Sequence, residues 1–363
     1  MQHHISFCTV CMNRTVHLKQ TLERNILDNT GYGNLEFVLL DYNSRDDLYE
    51  WVQSELQHYI DAGLLVYYRT TEPPFFHMSH SKNMAFRLAA GDILCSIDAD
   101  NYTGSGFAEY INDTFNTDSD IFMMPPRVGV NKKWWDVQGR VCVKKEDFYT
   151  LRGYDEKVMD YGYEDKDFKT RLEAHGHKRK IIGDPVFLNA IKHDDSLRIA
   201  DGFSSKNTKD LFISGGDTPL TQIIYLQENN AFEIFYVTGD SLISEKLSDC
   251  ILQPKKRYTG YFRQDGDKLR LYKENGILLL TLQYKGKDQL VTDEHQDFNR
   301  VTSDLLKENF LLKRAIYVGK KIFSDNKAKG NGVNDRGFGQ GTVYRNFSEQ
   351  PILLGETLTA GRV

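Results

Sequence analysis

The first two hundred residues alternate between two patterns, and that alternation limits the fold more than any single motif. ISFCTVCM (5–12), FVLLDYNS (37–44), LLVYYRT (64–70) and DILCSIDAD (92–100) are compact apolar runs. Between them, NRTVHLKQTLERNIL (13–27), DDLYEWVQSELQHYIDAG (46–63) and HSKNMAFRLAAG (80–91) carry apolar residues at helical spacing. In the first of these helices the stripe reads Val16, Leu18, Leu22, Ile26 and Leu27. Gly63 and Gly91 stand just past the ends of the other two, where a left-handed cap costs glycine little. Strands alternating with helices at this spacing predict a doubly wound, mostly parallel α/β sheet. In such sheets ligands bind outside the carboxyl ends of the strands. Three of those ends carry polar groups: Thr9 to Arg14, Asp41 to Asn43, and Asp98 to Asp100.

Past about residue 205 the period changes. TQIIYLQENNAFEIFYVTGD, GYFRQDGDKLRLYKENG and ILLLTLQYKGKDQLV read as short alternating strands with Gly, Asn and Asp turns. The expected organisation is a catalytic-type α/β domain over 1–205, a small β-rich module over 218–300, and a helix with a glycine-rich tail over 301–363. In that tail Phe338, Val343, Tyr344 and Phe347 supply apolar surface for packing back on the first domain.

Composition excludes several classes of protein. With 40% hydrophobic and 27% charged residues the chain is globular, and a net charge of -5 offers no basic footprint for nucleic acid. No apolar run approaches the ~20 residues that span a bilayer, and MQHHISFCTVCMNR lacks the pattern of a signal peptide. The expectation is a cytoplasmic protein. Cys8, Cys11, Cys95, Cys142 and Cys250 are odd in number and irregular in spacing. Cys8-Thr-Val-Cys11 lies inside an apolar run with no second ligand pair, so it reads as buried, reduced thiols rather than a redox or zinc motif.

Two carboxylate pairs stand out. Asp98 and Asp100 are two residues apart at a strand end, where side chains that share a face could hold one hard divalent cation against phosphate oxygens. A plain polar strand terminus reads the same way. Glu164 and Asp165 open YEDKDFKTRLEAHG, where acids also suit a helix dipole. Trp134 and Trp135 could stack on sugar rings or plug a core.

In combination, SFCTVCMNR, FVLLDYNS, HSKNMAFRLAAGDILCSIDADN and LRGYDEKVMDYGYEDKDFKTRL resemble the family 2-type glycosyltransferases of the GT-A fold, over about residues 5 to 200. DYGYEDKDF is similar to the acidic motif of β-galactosyltransferases and bacterial chondroitin-polymerase-type enzymes, and VNDRGFGQGTVYRNF resembles the ends of some bacterial members, which makes the β-rich module an insertion. The resemblance implies a nucleotide-diphospho-sugar fold in which Thr9, Arg14, Asp41, Lys82, Asp98 and Asp100 face the donor. Asp41 would meet the base and Asp98 the ribose and metal. Asp100 and His193 would ligate Mn²⁺, or Mg²⁺. Lys82, where many members carry arginine, would face the diphosphate or simply lie on the helix surface. Asp165 would be the base of an inverting transfer and Glu164 would hold a sugar, with Tyr161 and Gly162 beside the acceptor.

The implied donor is a UDP-sugar and the implied acceptor an oligosaccharide or lipid-linked glycan in bacterial surface-polysaccharide assembly, at the inner face of the membrane through a peripheral association. Two other readings compete. A nucleotidyltransferase would want a basic, glycine-rich loop after the first strand, and TVCMNRTVH offers none. Against a non-catalytic glycan-binding relative stands the intact set of Asp98, Asp100, Glu164, Asp165 and His193.

Overall fold

The computed structural model describes residues 1–128, 134–214, 220–238, 251–328, 330 and 332–355. The chain divides into two compact units, Met1–Asp194 with Gly319–Val363, and Asp195–Val318.

In the first unit the strands and helices run β1 Ile5–Cys11, α1 Thr15–Asn29, β2 Leu35–Tyr42, α2 Leu48–Glu55, α3 Gln57–Asp61, β3 Leu65–Thr70, α4 Met78–Leu88, β4 Ile93–Ser96 and β5 Asn101–Tyr102. They continue with α5 Phe107–Thr117, β6 Ile121–Met124, β7 Cys142–Lys144, α6 Lys145–Thr150, α7 Glu164–Ala174, β8 Lys178–Ile181 and β9 Asn189–Ala190. The second unit begins with α8 Asp195–Ile199 and α9 Phe203–Lys206. Its strands are β10 Thr208–Ser214, β11 Leu220–Gln227, β12 Ala231–Thr238, β13 Ile251–Asp265, β14 Lys268–Lys273, β15 Leu278–Tyr284, β16 Gln289–Thr292 and β17 Asp297–Arg300. Helix α10, Asp304–Ala328, contains the division between the units, and β18 Gly341–Arg345 and β19 Pro351–Leu354 follow it.

A nine-stranded mixed sheet, ordered β19-β18-β3-β2-β1-β4-β7-β6-β8, forms the first unit. Its centre, β3-β2-β1-β4, is parallel; β7 and β18 join antiparallel. The apolar runs are continuous because both faces are covered. Ile5 and Phe7 of β1, Phe37 and Leu39 of β2, and Leu65 and Tyr67 of β3 enter one core with α1, α2, α3 and α5. Cys8, Val38, Leu40, Val66 and Tyr68 enter the other, with α4, α6, α7 and the tail residues Phe338 and Val343. Strand order reverses at β1, so the crevice of this sheet opens past the ends of β1 and β4.

Three local expectations change. The single helix expected over 46–63 is two, broken at Leu56, which turns into the core beside Tyr59. Helix α4 ends at Leu88 on an extended Ala89, before Gly91 is reached. The stripe of α1 is also rotated: Val16 and Leu27 are 64% and 56% exposed, while Thr21, Asn25 and Asn29 are buried. That face carries polar groups because it meets a backbone rather than a strand. Thr21 Oγ1 donates to Ala99 O at 2.7 Å, Asn25 Nδ2 to Asn101 O at 2.9 Å, and Asn29 Oδ1 accepts from Ala108 N at 2.9 Å.

In the second unit β10 to β17 pair antiparallel in chain order, and β17 closes on β10. The β-rich module is a closed eight-stranded barrel. Side-chain alternation places Phe212, Ile224, Leu226 and Phe232 in one core, and Leu211, Ile223, Tyr225 and Phe235 in a second core with Phe310 and Leu311 of α10. Gly260 sits where β13 approaches a bulge in β14; a Cβ there would lie 1.9 Å from Tyr272 O. Among the described residues no helix is long and apolar enough to cross a membrane.

Candidate active site

Four stretches bring the chemistry together in the first unit. The first is the loop after β1. Thr9 is buried within the strand, and Arg14 precedes α1, close enough for its charge to act on His17. Asn13, at φ 57°, ties this loop to the next one: its amide donates to Ser44 Oγ at 3.2 Å and its Oδ1 accepts from Arg45 N at 2.7 Å.

The second stretch follows β2. Asp41 is fully buried, and both of its oxygens are engaged inside the protein. Oδ1 accepts from Ser44 N at 2.7 Å, Oδ2 accepts from the Tyr67 hydroxyl at 2.8 Å, and Arg69 Nε lies 3.5 Å away. Burial raises its pKa, against those donors and Arg69. In this structure Asp41 holds the turn that carries Asn43 and Ser44.

Strand β4 ends at Ser96, so Asp98 and Asp100 stand on a turn beyond it, where strand alternation no longer sets their direction. They diverge. Asp98 lies against Gly139, where a Cβ would come within 2.3 Å of Oδ2. Burial pushes the Asp98 carboxyl up to about 6, with Asp100 and Asp165 adding to the rise and Lys82 and Arg140 opposing it. Asp100 instead meets His193, Oδ2 to Nε2 at 2.8 Å. His17, which carried no signal in the sequence, has its ring centroid 5.8 Å from that of His193.

The fourth stretch opens α7. Lys82, on α4, is buried and reaches Glu164 Oε1 at 3.2 Å and Asp165 Oδ1 at 2.9 Å, with its ammonium 5.4 Å from the Tyr154 ring centroid. Burial alone would lower the Lys82 pKa; Asp165, Glu164 and Asp98 outweigh it and hold it well above the usual value. Glu164 moves up to about 7, first through burial, then through Asp165, despite Lys82. Both shifts fit one arrangement: a single ammonium shared by several carboxylates stays charged, and one of those acids keeps a proton near neutrality. Asp165 is the more open of the pair, its side chain 16% exposed against 5% for Glu164. Lys169, also buried, donates to Gln138 O at 2.8 Å and adds positive charge near Asp165.

The loop before α7 is strained. Gly162 has φ 100° and Tyr163 φ 75°. The Gly162 amide donates to Glu164 Oε2 at 3.2 Å, and Tyr161 is half-buried on the same loop. Trp134, at φ 69°, packs its partly buried side chain against the core, as in the plug reading of the tryptophan pair. The side chain of Trp135 and residues 131–133 lie outside the described residues.

The donor set at Asp100 suits a divalent cation. Among the described residues no three His, Cys, Asp or Glu side chains converge on one point. What the protein supplies is one carboxylate and one imidazole. His193 Nδ1 faces Asp194 O at 3.0 Å, an acceptor only, so Nδ1 carries a hydrogen; the 2.8 Å contact between Nε2 and the Asp100 carboxylate also needs a proton between them, and a bound cation would take that proton's place on Nε2. Metal-bound histidines donate their other ring N–H in this way. A cation held by few protein groups takes its remaining oxygens from substrate phosphates and water.

Residues 6–172 match the family model described as glycosyl transferase family 2. This segment is similar to the family 2 glycosyltransferases. The segment builds most of the helix-covered mixed sheet with a parallel centre, as expected of the GT-A fold, and the barrel is an added module. No curated protein matches the chain. Solved structures with a similar chain path include the mannosyltransferase PcManGT from Pyrobaculum calidifontis in complex with GDP-Man and Mn²⁺, at 18% identity and a TM-score of 0.44. That likeness covers 55% of this chain and 63% of the mannosyltransferase. TarS 1–349 of S. aureus in complex with UDP is 11% identical with a TM-score of 0.44, over 55% of this chain and 66% of that one. GalNAc-T7 with UDP, GalNAc and Mn²⁺ is 13% identical with a TM-score of 0.42, over 85% and 80%. At this level a likeness says nothing of which sugar or acceptor a protein takes.

Proposed function

We propose that the chain is an inverting, divalent-metal-dependent glycosyltransferase that moves a sugar from a UDP-sugar to a glycan hydroxyl. The observation that supports this reading best is the gathering of Asp98, Glu164 and Asp165 around Lys82, beside the Asp100–His193 pair, past the end of β4 in a segment similar to the family 2 glycosyltransferases.

In this reading Asp165, the more open acid of the pair, takes the proton of the acceptor hydroxyl as its oxygen attacks the anomeric carbon. The bond from that carbon to the nucleoside diphosphate breaks on the opposite face, and the configuration inverts. Glu164, whose carboxyl is pushed up to about 7 by burial, holds a sugar hydroxyl. Asp100 and His193 hold the cation, which when bound neutralises charge on the departing diphosphate. Thr9, Arg14 and Asp41 border the nucleotide, with Asp41 acting through the turn it holds. Lys82 keeps the acid pair compensated and lends positive charge toward the diphosphate. Tyr161 and Gly162 border the acceptor. The sequence resemblance supports a lipid-linked or oligosaccharide acceptor in bacterial surface-polysaccharide assembly, at the cytoplasmic face of the membrane.

The test is calorimetric binding of UDP, GDP and CMP with and without Mn²⁺, on wild type and Asp100→Ala. UDP binding that needs Mn²⁺ and is lost in the variant is the expected result; metal-independent or absent binding of all three overturns the reading. Asp165→Asn should then keep UDP affinity while losing turnover, which separates an enzyme from a glycan-binding protein.

A further inference from the structure

This inference rests on the reading of Asp100 as a metal ligand and concerns what aims it. The Asp100 carboxylate is bracketed: His193 Nε2 lies 2.8 Å from Oδ2, and Asn101 Nδ2 donates to Oδ1 at 2.8 Å. Asn101 is fully buried, and its Nδ2 also donates to Asp136 O at 3.0 Å. Its Oδ1 accepts from Arg140 Nη2 at 3.2 Å. An asparagine amide has a donor end and an acceptor end, and here the partners decide which is which. A guanidinium only donates and a main-chain carbonyl only accepts, so the oxygen faces Arg140 and the nitrogen faces Asp136 and Asp100.

Arg140 is built to hold that orientation. It is wholly buried, its Nη2 also donates to Tyr102 O at 2.8 Å, and its guanidinium carbon lies 5.4 Å from the Phe107 ring centroid. Its Nε and Nη1 have no partner among the described residues, which is costly for a buried guanidinium. The backbone on which this sits is gripped from behind by Thr21 and Asn25 of α1. We propose that Asn101, oriented by Arg140, is a positioning residue that fixes the Asp100 carboxylate for divalent-cation binding.

The experiment is a Mn²⁺ titration of the full chain, alone and with UDP, read by the electron paramagnetic resonance signal of free Mn²⁺. Outer partners of metal ligands typically change affinity about 10–100-fold when removed. Asn101→Leu, which keeps the branched shape without polar atoms, and Asn101→Ser, which tests the site if the bulkier leucine variant does not fold, should both weaken Mn²⁺ by at least about tenfold. Thr103→Val is the control: Thr103 belongs to the same buried polar network, accepting from Asn29 Nδ2 at 2.9 Å, but makes no hydrogen bond to Asp100. It should lower the melting temperature and leave Mn²⁺ affinity alone. Wild-type binding with unchanged affinity in both Asn101 variants overturns this inference and leaves the metal site standing. An equal loss in Thr103→Val also overturns it, by making the effect one of general folding. Failure of wild type to bind Mn²⁺ under either condition removes the metal reading itself, and this inference with it.

Discussion

Gly319 sits inside α10, where glycine costs about 1 kcal/mol relative to alanine. Its place is explained by the loop before α7. A Cβ at 319 would lie 2.4 Å from Gly162 O and 3.2 Å from Tyr163 Cβ. Ordinary contact begins near 3.4 Å, so Gly319→Ala must separate helix and loop by about 1 Å. The energetic balance is close: helix propensity gains about 1 kcal/mol, and overpacking costs about 1–3 kcal/mol. The melting temperature should therefore fall by only a few degrees or not at all. Activity has no such compensation, because Gly162 and Tyr163 lead directly into Glu164 and Asp165. A misplacement of about 1 Å at a reacting centre costs up to about 100-fold in rate. Transfer, or donor hydrolysis, should drop between ten- and a hundredfold in kcat, with UDP affinity near wild type. Lys320→Ala, on the exposed side of the same helix, is the control and should change neither. Wild-type kcat in Gly319→Ala would refute the claim that this contact places the acids.

Three further outcomes follow from the charges. Lys82→Met leaves Glu164 and Asp165 without their shared cation; it should cost about 3–5 kcal/mol in urea denaturation at pH 8 and clearly less at pH 5. Glu164 and Asp98 both have folded-state pKa values raised above the ordinary carboxylate range, to about 7 and about 6, so the stability they lend as neutral acids is full below about pH 4 and is lost as pH rises through those values. Metal-free protein should accordingly show a smaller loss of stability between pH 5 and pH 8 in Glu164→Gln than in wild type; identical slopes would refute it. In the barrel unit Arg314 forks onto Glu233, Nε to Oε2 at 2.7 Å and Nη2 to Oε1 at 3.1 Å. Arg314→Met should cost about 3–5 kcal/mol, and adding Glu233→Leu should recover most of it, as a double-mutant cycle would measure.

Much of the sheet was legible because its strands are buried on both faces. Ile5, Phe7 and Cys8 must all be apolar when successive side chains enter opposite cores, and a run of that kind with a helix on each side has few alternatives. The β-rich character of the second unit was legible for the opposite reason, since hairpin strands with turn residues between them announce their own pairing; closure of β17 on β10 had no local signal. The helix over 46–63 misled because Leu56 fits a helical stripe whether the axis is straight or broken. The α1 stripe misled because a periodicity count ranks Val16 and Leu27 above Thr21 and Asn25, although the latter meet a backbone with open donors and acceptors.

That last case explains why the surroundings of the candidate site were only half legible. Carboxylates at a strand end are visible in a sequence, although a plain polar strand terminus reads the same way. What aims them is not visible. Asn101 looks like a turn residue, Arg140 like a surface arginine, and Gly139 and Gly319 like loop or helix accidents. Each acquires meaning only from a partner far along the chain: Arg140 from Asn101, Gly139 from Asp98, Gly319 from Gly162. The expectation for Lys82 shows the same limit from the other side. Its charge was readable, but its acid partners, 82 and 83 residues away, were not. An ammonium between Glu164 and Asp165 has a job in the protein before any diphosphate approaches. Exchanging Lys82 for arginine therefore tests more than charge. A planar fork in place of a point donor would pull the two carboxylates toward a bidentate geometry and alter the spacing of the acid pair. If kcat survives that exchange, the pair tolerates movement, and the close fit of Gly319 against Gly162 serves packing rather than catalysis.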